Sequence, residues 1–510
     1  MIGKLRRADG TLVAVAVLAV AWALLPRPCS LASSLPLLFD EGVLLEDALD
    51  LAEHGLSGQS PSYMGRPLHR MLVAGAFRLA GTVAWAGALV SSVSAALTLI
   101  VVFSLGRHLG GERVGLLAAG LLATSNLFGH YSRTALSEAD SLLFFCLALR
   151  SVVVRAPGAG GLLACVPAGL WFGLSLAANP RMGLALPWLV VAGLPGLSLR
   201  QLALRLGLAA CAVPPLVMET VVRWAHSGQG AGSSSFASYV TINLQLFSPG
   251  ALHDYPLYFA VVEGPVFTGL TVLALWLTIR VAGPARSVAA TGPLVTLVLS
   301  AVVFGHHALR YLLVYCPGFA LAMAVALDRL LPVGSPGRTR ERMLLAALVL
   351  AAYGTSSLTR PPLPAGHNPA YASLLPRLEK AGARDIMTSH YRVLGFLQKT
   401  RKSPHRVFPP VRIPWAMRAM VEQGVTHCVL DFERWFLDDY VHGRLEPEVL
   451  RGFLASRLTA QVIENPSARG PYLWFEHGYL SPVEHSEGFE SIEIYDLAGL
   501  ARNSAAGGDR

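Results

Sequence analysis

Leu38-Phe39-Asp40-Glu41-Gly42 follows the first apolar stretch of the chain and opens an amphipathic segment that runs to Arg70. The segment carries six carboxylates, Asp40, Glu41, Glu46, Asp47, Asp50 and Glu53, in a chain that is otherwise mostly hydrocarbon. An Asp-Glu pair a few residues beyond the end of a membrane span stands where a lipid headgroup and a water-soluble substrate can both reach it. Ionisable groups at that depth are functional candidates.

The rest of the chain supports a membrane setting. Of 510 residues, 53% are hydrophobic and 14% charged, against about 25% charged in ordinary soluble domains. The net charge of +9 comes from arginines scattered in short loops between apolar runs. This is a topology signal and no nucleic-acid footprint, so nucleic acid is not expected as a partner. The six cysteines form no CxxC or Cys/His spacing, which suggests neither a disulfide framework nor a zinc site. Lys4, Arg6 and Arg7 followed by an apolar run mimic a signal peptide. No small-x-small cleavage site follows directly, so the run is read as a retained first helix.

The roughly 20-residue apolar criterion places about eleven spans, near 11–28, 83–105, 113–130, 136–154, 160–178, 183–199, 203–222, 264–282, 288–305, 311–331 and 341–357. With a cytoplasmic N-terminus, every loop on that side is basic: Arg107 and Arg113, Arg150 and Arg155, Arg200 and Arg205, Arg280 and Arg286, then Arg329 to Arg342. The opposite loops show Arg133, Arg181, Arg223 and Arg310 singly, and the first outer loop adds Arg66, Arg70 and Arg78. An odd span count puts the tail after residue 358 on the same outer side as Asp40.

Within the first outer loop, Leu44, Leu45, Ala48, Leu49, Leu51 and Ala52 recur at helical spacing. They predict an interfacial helix with one face in lipid, and Pro67 to Leu79 predicts a second. Glu138 and Asp140 open a span, where charge is costly unless it meets a cavity or a cation. Gly228 to Ser235 would suit a mobile loop. His306-His307 is a poor chelate because neighbouring side chains point to opposite sides.

Composition changes at Pro361-Pro362-Leu363-Pro364. Helices over 371–380, 416–423 and 447–456 and strands over 385–389, 425–431, 459–464, 472–475 and 491–495 predict a small α/β C-terminal domain with an open sheet. The expected division is a transmembrane unit over 1–357 and an extracytoplasmic unit over 358–510. No GxGxxG, Walker loop or nucleophile elbow gives the second unit chemistry of its own.

Three motifs carry a resemblance. Phe39-Asp40-Glu41-Gly42 followed by Tyr63-Met64-Gly65-Arg66-Pro67-Leu68, then Tyr131-Ser132-Arg133-Thr134-Ala135-Leu136-Ser137-Glu138, then Arg310-Tyr311-Leu312-Leu313, resemble in order the motifs of GT-C fold glycosyltransferases. The likeness is to the dolichyl-phosphate-mannose protein mannosyltransferases and the bacterial aminoarabinose lipid A transferases. Arg66 stands where Lys is more usual, Leu68 where a second Pro is, and Glu138 where Asp is common. Arg holds a phosphate as well as Lys does.

The resemblance implies a GT-C-like polytopic helical enzyme. It would move a sugar, with inversion, from a polyprenyl-phosphate donor to an acceptor hydroxyl on a protein, a lipid A-like glycolipid or an envelope glycan. Asp40 would be the base, with Glu41 and Glu138 positioning the acceptor or holding that base. Arg66, Arg133 and Arg310 would bind the donor phosphate, and Tyr63, Tyr311 and Asp140 would position substrate. Arginine forks can neutralise a monophosphate, so no metal or other cofactor is required. A bacterial inner-membrane location is implied, with membrane lipid as the donor's surroundings. The rival readings are a transporter, which would need midplane charges and repeated halves, and a membrane-anchored scaffold.

Overall fold

The computed structural model describes residues 11–21, 39–55, 66–154, 166–193, 250–281, 283–303, 309–330, 369–388, 396, 406–408, 416–431, 452–464, 491–498 and 500. Nine of the eleven expected spans have a helical counterpart there; those at 203–222 and 341–357 lie outside the described residues, as does the expected boundary at 357. By length and apolar composition, three described helical runs can cross a bilayer unaided: Trp85–Gly110, Pro284–Val302 and Leu309–Leu330.

The membrane part begins with α1 (Thr11–Ala21), α2 (Phe39–His54), α3 (Pro67–Ala80) and α4 (Ala84–Gly110), followed by α5 (Glu112–Thr124), α6 (Asn126–Tyr131) and α7 (Glu138–Val154). It continues with α8 (Val166–Ala178), a 3-10 turn (Pro180–Ala185) leading into α9 (Leu186–Ala192), α10 (Gly250–Glu263) and α11 (Pro265–Ile279). Then come α12 (Gly292–Val303), entered through a π-helical stretch at Ser287–Thr291, and α13 (Cys316–Leu330), entered through a 3-10 turn at Leu309–Tyr315.

Apolar side chains lie on both sides of these helices, as lipid solvation allows. On α11, Val266, Leu270, Val272, Leu273, Trp276 and Ile279 are exposed, while Phe267, Thr271, Ala274, Leu275 and Thr278 are buried against neighbours. Small residues let helices touch. A Cβ on Gly115 of α5 would lie 2.6 Å from the Phe103 carbonyl oxygen of α4, so these two backbones are in contact.

The first outer loop corrects one expectation. The apolar face of α2 does not lie in lipid: Leu44, Leu45, Ala48 and Leu49 are essentially fully buried in protein. Leu45, Ala48 and Leu49 share a core with Val73 and Phe77 of α3 and with apolar residues of the tail. Helical periodicity shows which face is apolar but not whether lipid or protein covers it.

The described part of the tail comprises α14 (Pro369–Lys380), β1 (Asp385–Thr388), β2 (Arg406–Phe408), α15 (Ala416–Glu422), β3 (His427–Asp431), β4 (Ala460–Glu464) and β5 (Ser491–Asp496). The strands form one open mixed sheet in the order β2-β1-β3-β5-β4. β1 pairs in parallel with β2 and β3, whereas β5 is antiparallel to β3 and β4. Strand β2 had no sequence signal strong enough to be expected; the strand expected at 472–475 lies outside the described residues. Side-chain alternation gives the sheet two apolar faces. Met387, Cys428, Leu430 and Tyr495 face Leu454, Leu497 and Leu500. Ile386, Val429, Ile492 and Ile494 gather with Leu374 and Leu378 of α14. Phe396 belongs to the second cluster, and its ring stacks on Phe77 of α3 with centroids 6.0 Å apart. The described part of the tail is therefore seated on α2 and α3.

Candidate active site

Three segments far apart in sequence meet at Glu138. Pro67 occupies the first helical position of α3, where its missing N–H is no loss, and Arg66 just before it is fully buried. Glu138 lies in the first turn of α7, where the helix dipole favours a carboxylate. Arg310 lies in the 3-10 turn before α13. Glu138 Oε1 is 4.0 Å from Arg66 Nη2 and 3.9 Å from Arg310 Nε. One carboxylate thus holds two guanidinium groups in loose ion pairs at the edge of direct contact.

Beside this triad is a cleft lined by Glu138, Asn179, Arg181, Tyr255, Ser300, Arg310, Tyr311 and Tyr315, with Leu142, Met182 and Leu313 among its apolar walls. It spans about 560 Å³ of non-protein space, open solvent at its mouth included. The cleft is narrow. Asn179 sets part of its geometry: its side-chain oxygen accepts from the Arg181 N–H at 3.2 Å, capping the 3-10 turn, and its amide donates to Glu138 Oε1 at 3.4 Å. Two cations lie close to the Tyr311 ring, with the guanidinium carbon of Arg181 3.9 Å from its centroid and that of Arg310 5.5 Å away. Such contacts keep a guanidinium's edge available for hydrogen bonds. On the far wall the Tyr315 hydroxyl donates to Ser300 Oγ at 2.6 Å.

The segment 132–137, which carries Arg133 and leads into Glu138, is tied down by its neighbours. Ser91 and Ser92 of α4 donate to the carbonyls of Leu136 and Ser132. Glu41 of α2 accepts from the Ala135 N–H at 2.7 Å. His69 of α3 donates through Nε2 to the Ala135 carbonyl at 3.1 Å, and its Nδ1 is 3.2 Å from Asp140 Oδ2. Below, the Glu263 carboxylate accepts from Ser125 Oγ and from the N–H groups of Asn126 and Leu127, satisfying the open donors at the start of α6.

The structure brings together Arg66, Glu138, Arg310 and Tyr311. It separates others from the cleft. Glu41 is buried and engages the backbone of the loop, so its observed contact supports the loop rather than an acceptor. Asp140 is fully buried, its carboxylate 3.2 Å from His69 Nδ1 and away from the residues that line the cleft. Arg133 is buried in the loop but does not line the cleft. The backbone of Asp40 begins α2, while its side chain and the whole of Tyr63 lie outside what the structure describes. Sequence reading missed Asn179, Arg181, Tyr255, Ser300 and Tyr315. The signal for the first two was present in Asn179-Pro180-Arg181, an N-cap residue followed by a proline at the first helical position.

Among the described residues, no three His, Cys, Asp or Glu side chains gather as a metal site. Residues 61–218, from just before α3 through α9, match the family model of the dolichyl-phosphate-mannose-protein mannosyltransferases. No curated protein sequence matches significantly. Among solved structures, the chain resembles ArnT from Cupriavidus metallidurans bound to undecaprenyl phosphate, at 14% identity and a TM-score of 0.60, covering 96% of this chain and 98% of that one. It also resembles the oligosaccharyltransferase AglB from Archaeoglobus fulgidus, in complex with an inhibitory peptide and a dolichol-phosphate, at 12% identity and a TM-score of 0.50 over 90% of this chain and 74% of that one. The mycobacterial arabinofuranosyltransferase AftD aligns at 16% identity and a TM-score of 0.50, over 95% of this chain but 41% of its own. With the motifs in order along the chain and this likeness along nearly its whole length, the protein is a multi-span helical membrane protein with the fold of the GT-C glycosyltransferases.

Proposed function

We propose that the protein is an inverting membrane glycosyltransferase that moves a sugar from a polyprenyl-phosphate donor to an acceptor hydroxyl at the outer surface of a bacterial inner membrane. The observation that carries this reading is the convergence of Arg66 and Arg310, from two distant motifs, on Glu138 of a third, with Glu138 and Arg310 lining one narrow cleft. The lipid tail of such a donor stays in the bilayer beside apolar helices, and its phosphosugar enters the cleft. The acceptor oxygen attacks the anomeric carbon on the face opposite the phosphate as its proton passes to the Asp40 carboxylate. The bond from anomeric carbon to phosphate oxygen breaks, and its electron pair stays on the phosphate. Arg66 and Arg310 meet that charge as it forms, so the chemistry requires no metal. Glu138 holds the two guanidinium groups in place, and Glu41 fixes the loop that leads into Glu138.

The acceptor is a hydroxyl on a protein, a lipid A-like glycolipid or an envelope glycan. Mass spectrometry of envelope fractions tests the reading. Cells with the wild-type protein should show a hexose- or pentose-sized increment that is missing from cells lacking it and from cells with Asp40→Asn at equal expression. An increment that persists with Asp40→Asn would overturn the assignment of the base. An envelope unchanged by removal of the protein would overturn the function.

A further inference from the structure

The cleft has polar groups that the phosphate chemistry leaves unused. Ser300 of α12 and Tyr315, at the end of the 3-10 turn that also carries Arg310, both line it, and each is 2% exposed. The Tyr315 ring stacks on Phe319 with centroids 6.2 Å apart, and its hydroxyl donates to Ser300 Oγ at 2.6 Å. Ser300 is the acceptor in that bond, which leaves its own proton to donate. Among the described residues no acceptor receives that proton. Across the cleft, Glu138 Oε2 is buried with no hydrogen-bond partner among the described residues, since the partners of this carboxylate sit on Oε1. The residues lining one cleft thus include an open donor and an open acceptor. Buried polar groups need partners, so the occupant must both accept and donate. A hydroxyl does both, whereas an isoprenoid chain does neither and an ionised phosphate only accepts. At the 3-10 rise of about 2 Å per residue, the turn advances about 10 Å from Arg310 to Tyr315. That is room for one phosphosugar lying along it.

We infer that Ser300, oriented by Tyr315, is a specificity-determining residue that donates a hydrogen bond to one hydroxyl of the transferred sugar. This rests on the glycosyltransferase reading above and adds the direction in which the donor lies, with its phosphate at Arg310 and its sugar ring toward Ser300. A sugar lacking that hydroxyl would strand the buried serine proton. Sites built to hydrogen-bond a substrate hydroxyl reject the analogue without it more strongly than apolar pockets reject a change of size. Tyr315 acts through Ser300 and is a positioning residue: its phenolic proton occupies one face of the serine oxygen and so turns the serine proton toward the sugar.

The test measures binding to the full-length protein in lipid nanodiscs. The probes are undecaprenyl phosphates bearing mannose or arabinofuranose and the monodeoxy forms of both sugars, which share one charge and one tail. Undecaprenyl phosphate and undecaprenol are the references. Wild type should bind one of the two full sugars about 10-fold or more tightly than one of its monodeoxy forms. Ser300→Ala should lose most of that preference while its affinity for undecaprenyl phosphate stays that of wild type. Tyr315→Phe, which keeps the ring against Phe319, should lose part of the same preference and of no other. A wild type that does not distinguish undecaprenyl phosphate from undecaprenol would overturn the glycosyltransferase reading itself. A wild type that binds the lipid phosphate yet ignores every hydroxyl deletion would overturn only the role of Ser300. Retention of the wild-type preference in Ser300→Ala would overturn it too, as would a uniform weakening of all the lipids with the preference kept, the mark of a structural role. If Ser300→Ala does not fold, Tyr315→Phe decides by the same criterion.

Discussion

The Glu138 carboxylate is an ion-pair partner common to Arg66 and Arg310, and this fixes what its removal should do. In Glu138→Gln, Arg66 and Arg310 would keep their shape complement but lose the charge that holds them 3.9–4.0 Å from a common oxygen. Misplacing preorganised donors costs catalysis on the order of 10²–10³-fold. The expected outcome is a loss of that size in turnover, with a melting temperature within a few degrees of wild type, both measured on purified protein. His69 makes the opposite prediction. It touches Asp140 and the Ala135 carbonyl and is fully buried, so His69→Ala strands two polar partners at about 1–3 kcal/mol each. Thermal unfolding in detergent should register that loss of stability, and a compact wild-type melt would refute the assignment. Sequence reading found Glu138 because an acid at a membrane edge is conspicuous. It did not foresee the contact of Asp140, two residues on, with His69, because pattern places a carboxylate near a cavity but does not show which partner its side chain turns toward.

Elements decide how far the residues can move. Most helices and strands were legible from periodicity and composition, with ends within a few residues of the structure for α4, α7, α13, β1 and β5. Hidden from the sequence were the departures from regular helix: the break at Ser125 between α5 and α6, the π-helical entry to α12 and the 3-10 turns before α9 and α13. Tertiary contacts reach some of them. Trp188, for example, donates its indole N–H to the Val288 carbonyl within the π-helical stretch. At Gly87, α4 meets both α2 and the loop before α7; a Cβ there would lie 2.6 Å from Leu45 Cδ2 and 2.9 Å from the Ala135 Cβ. Gly87→Val should therefore push α2, with Asp40 and Glu41, away from Ala135. Overpacking costs roughly 1–3 kcal/mol, and the expected result is a larger loss of turnover than of thermal stability. Gly115→Val, at the α4–α5 contact away from the cleft, is the control, since it should lower stability without a selective effect on turnover.

At the scale of the whole molecule, the stacking of Phe396 on Phe77 links the tail to the loop that opens with Asp40. Both segments then lie on one side of the bilayer, which requires an even number of crossings between α3 and α14. If each of the eight helices α4, α5, α7, α8, α9, α11, α12 and α13 crosses once, these and the two spans expected at 203–222 and 341–357 keep that parity. An aromatic pair adds about 0.5–1.5 kcal/mol beyond its area, enough to hold a tethered domain when joined to the apolar cluster around it. Two measurements check the arrangement in intact membranes. Phe396→Ala should speed proteolytic release of the tail while leaving the span helices protected. Cysteines placed at 77 and 396 should cross-link with a short bifunctional maleimide and be labelled from the same side by an impermeant reagent. Labelling from opposite sides would make the parity odd, separate the tail from the cleft and overturn the seating of the tail on α2 and α3.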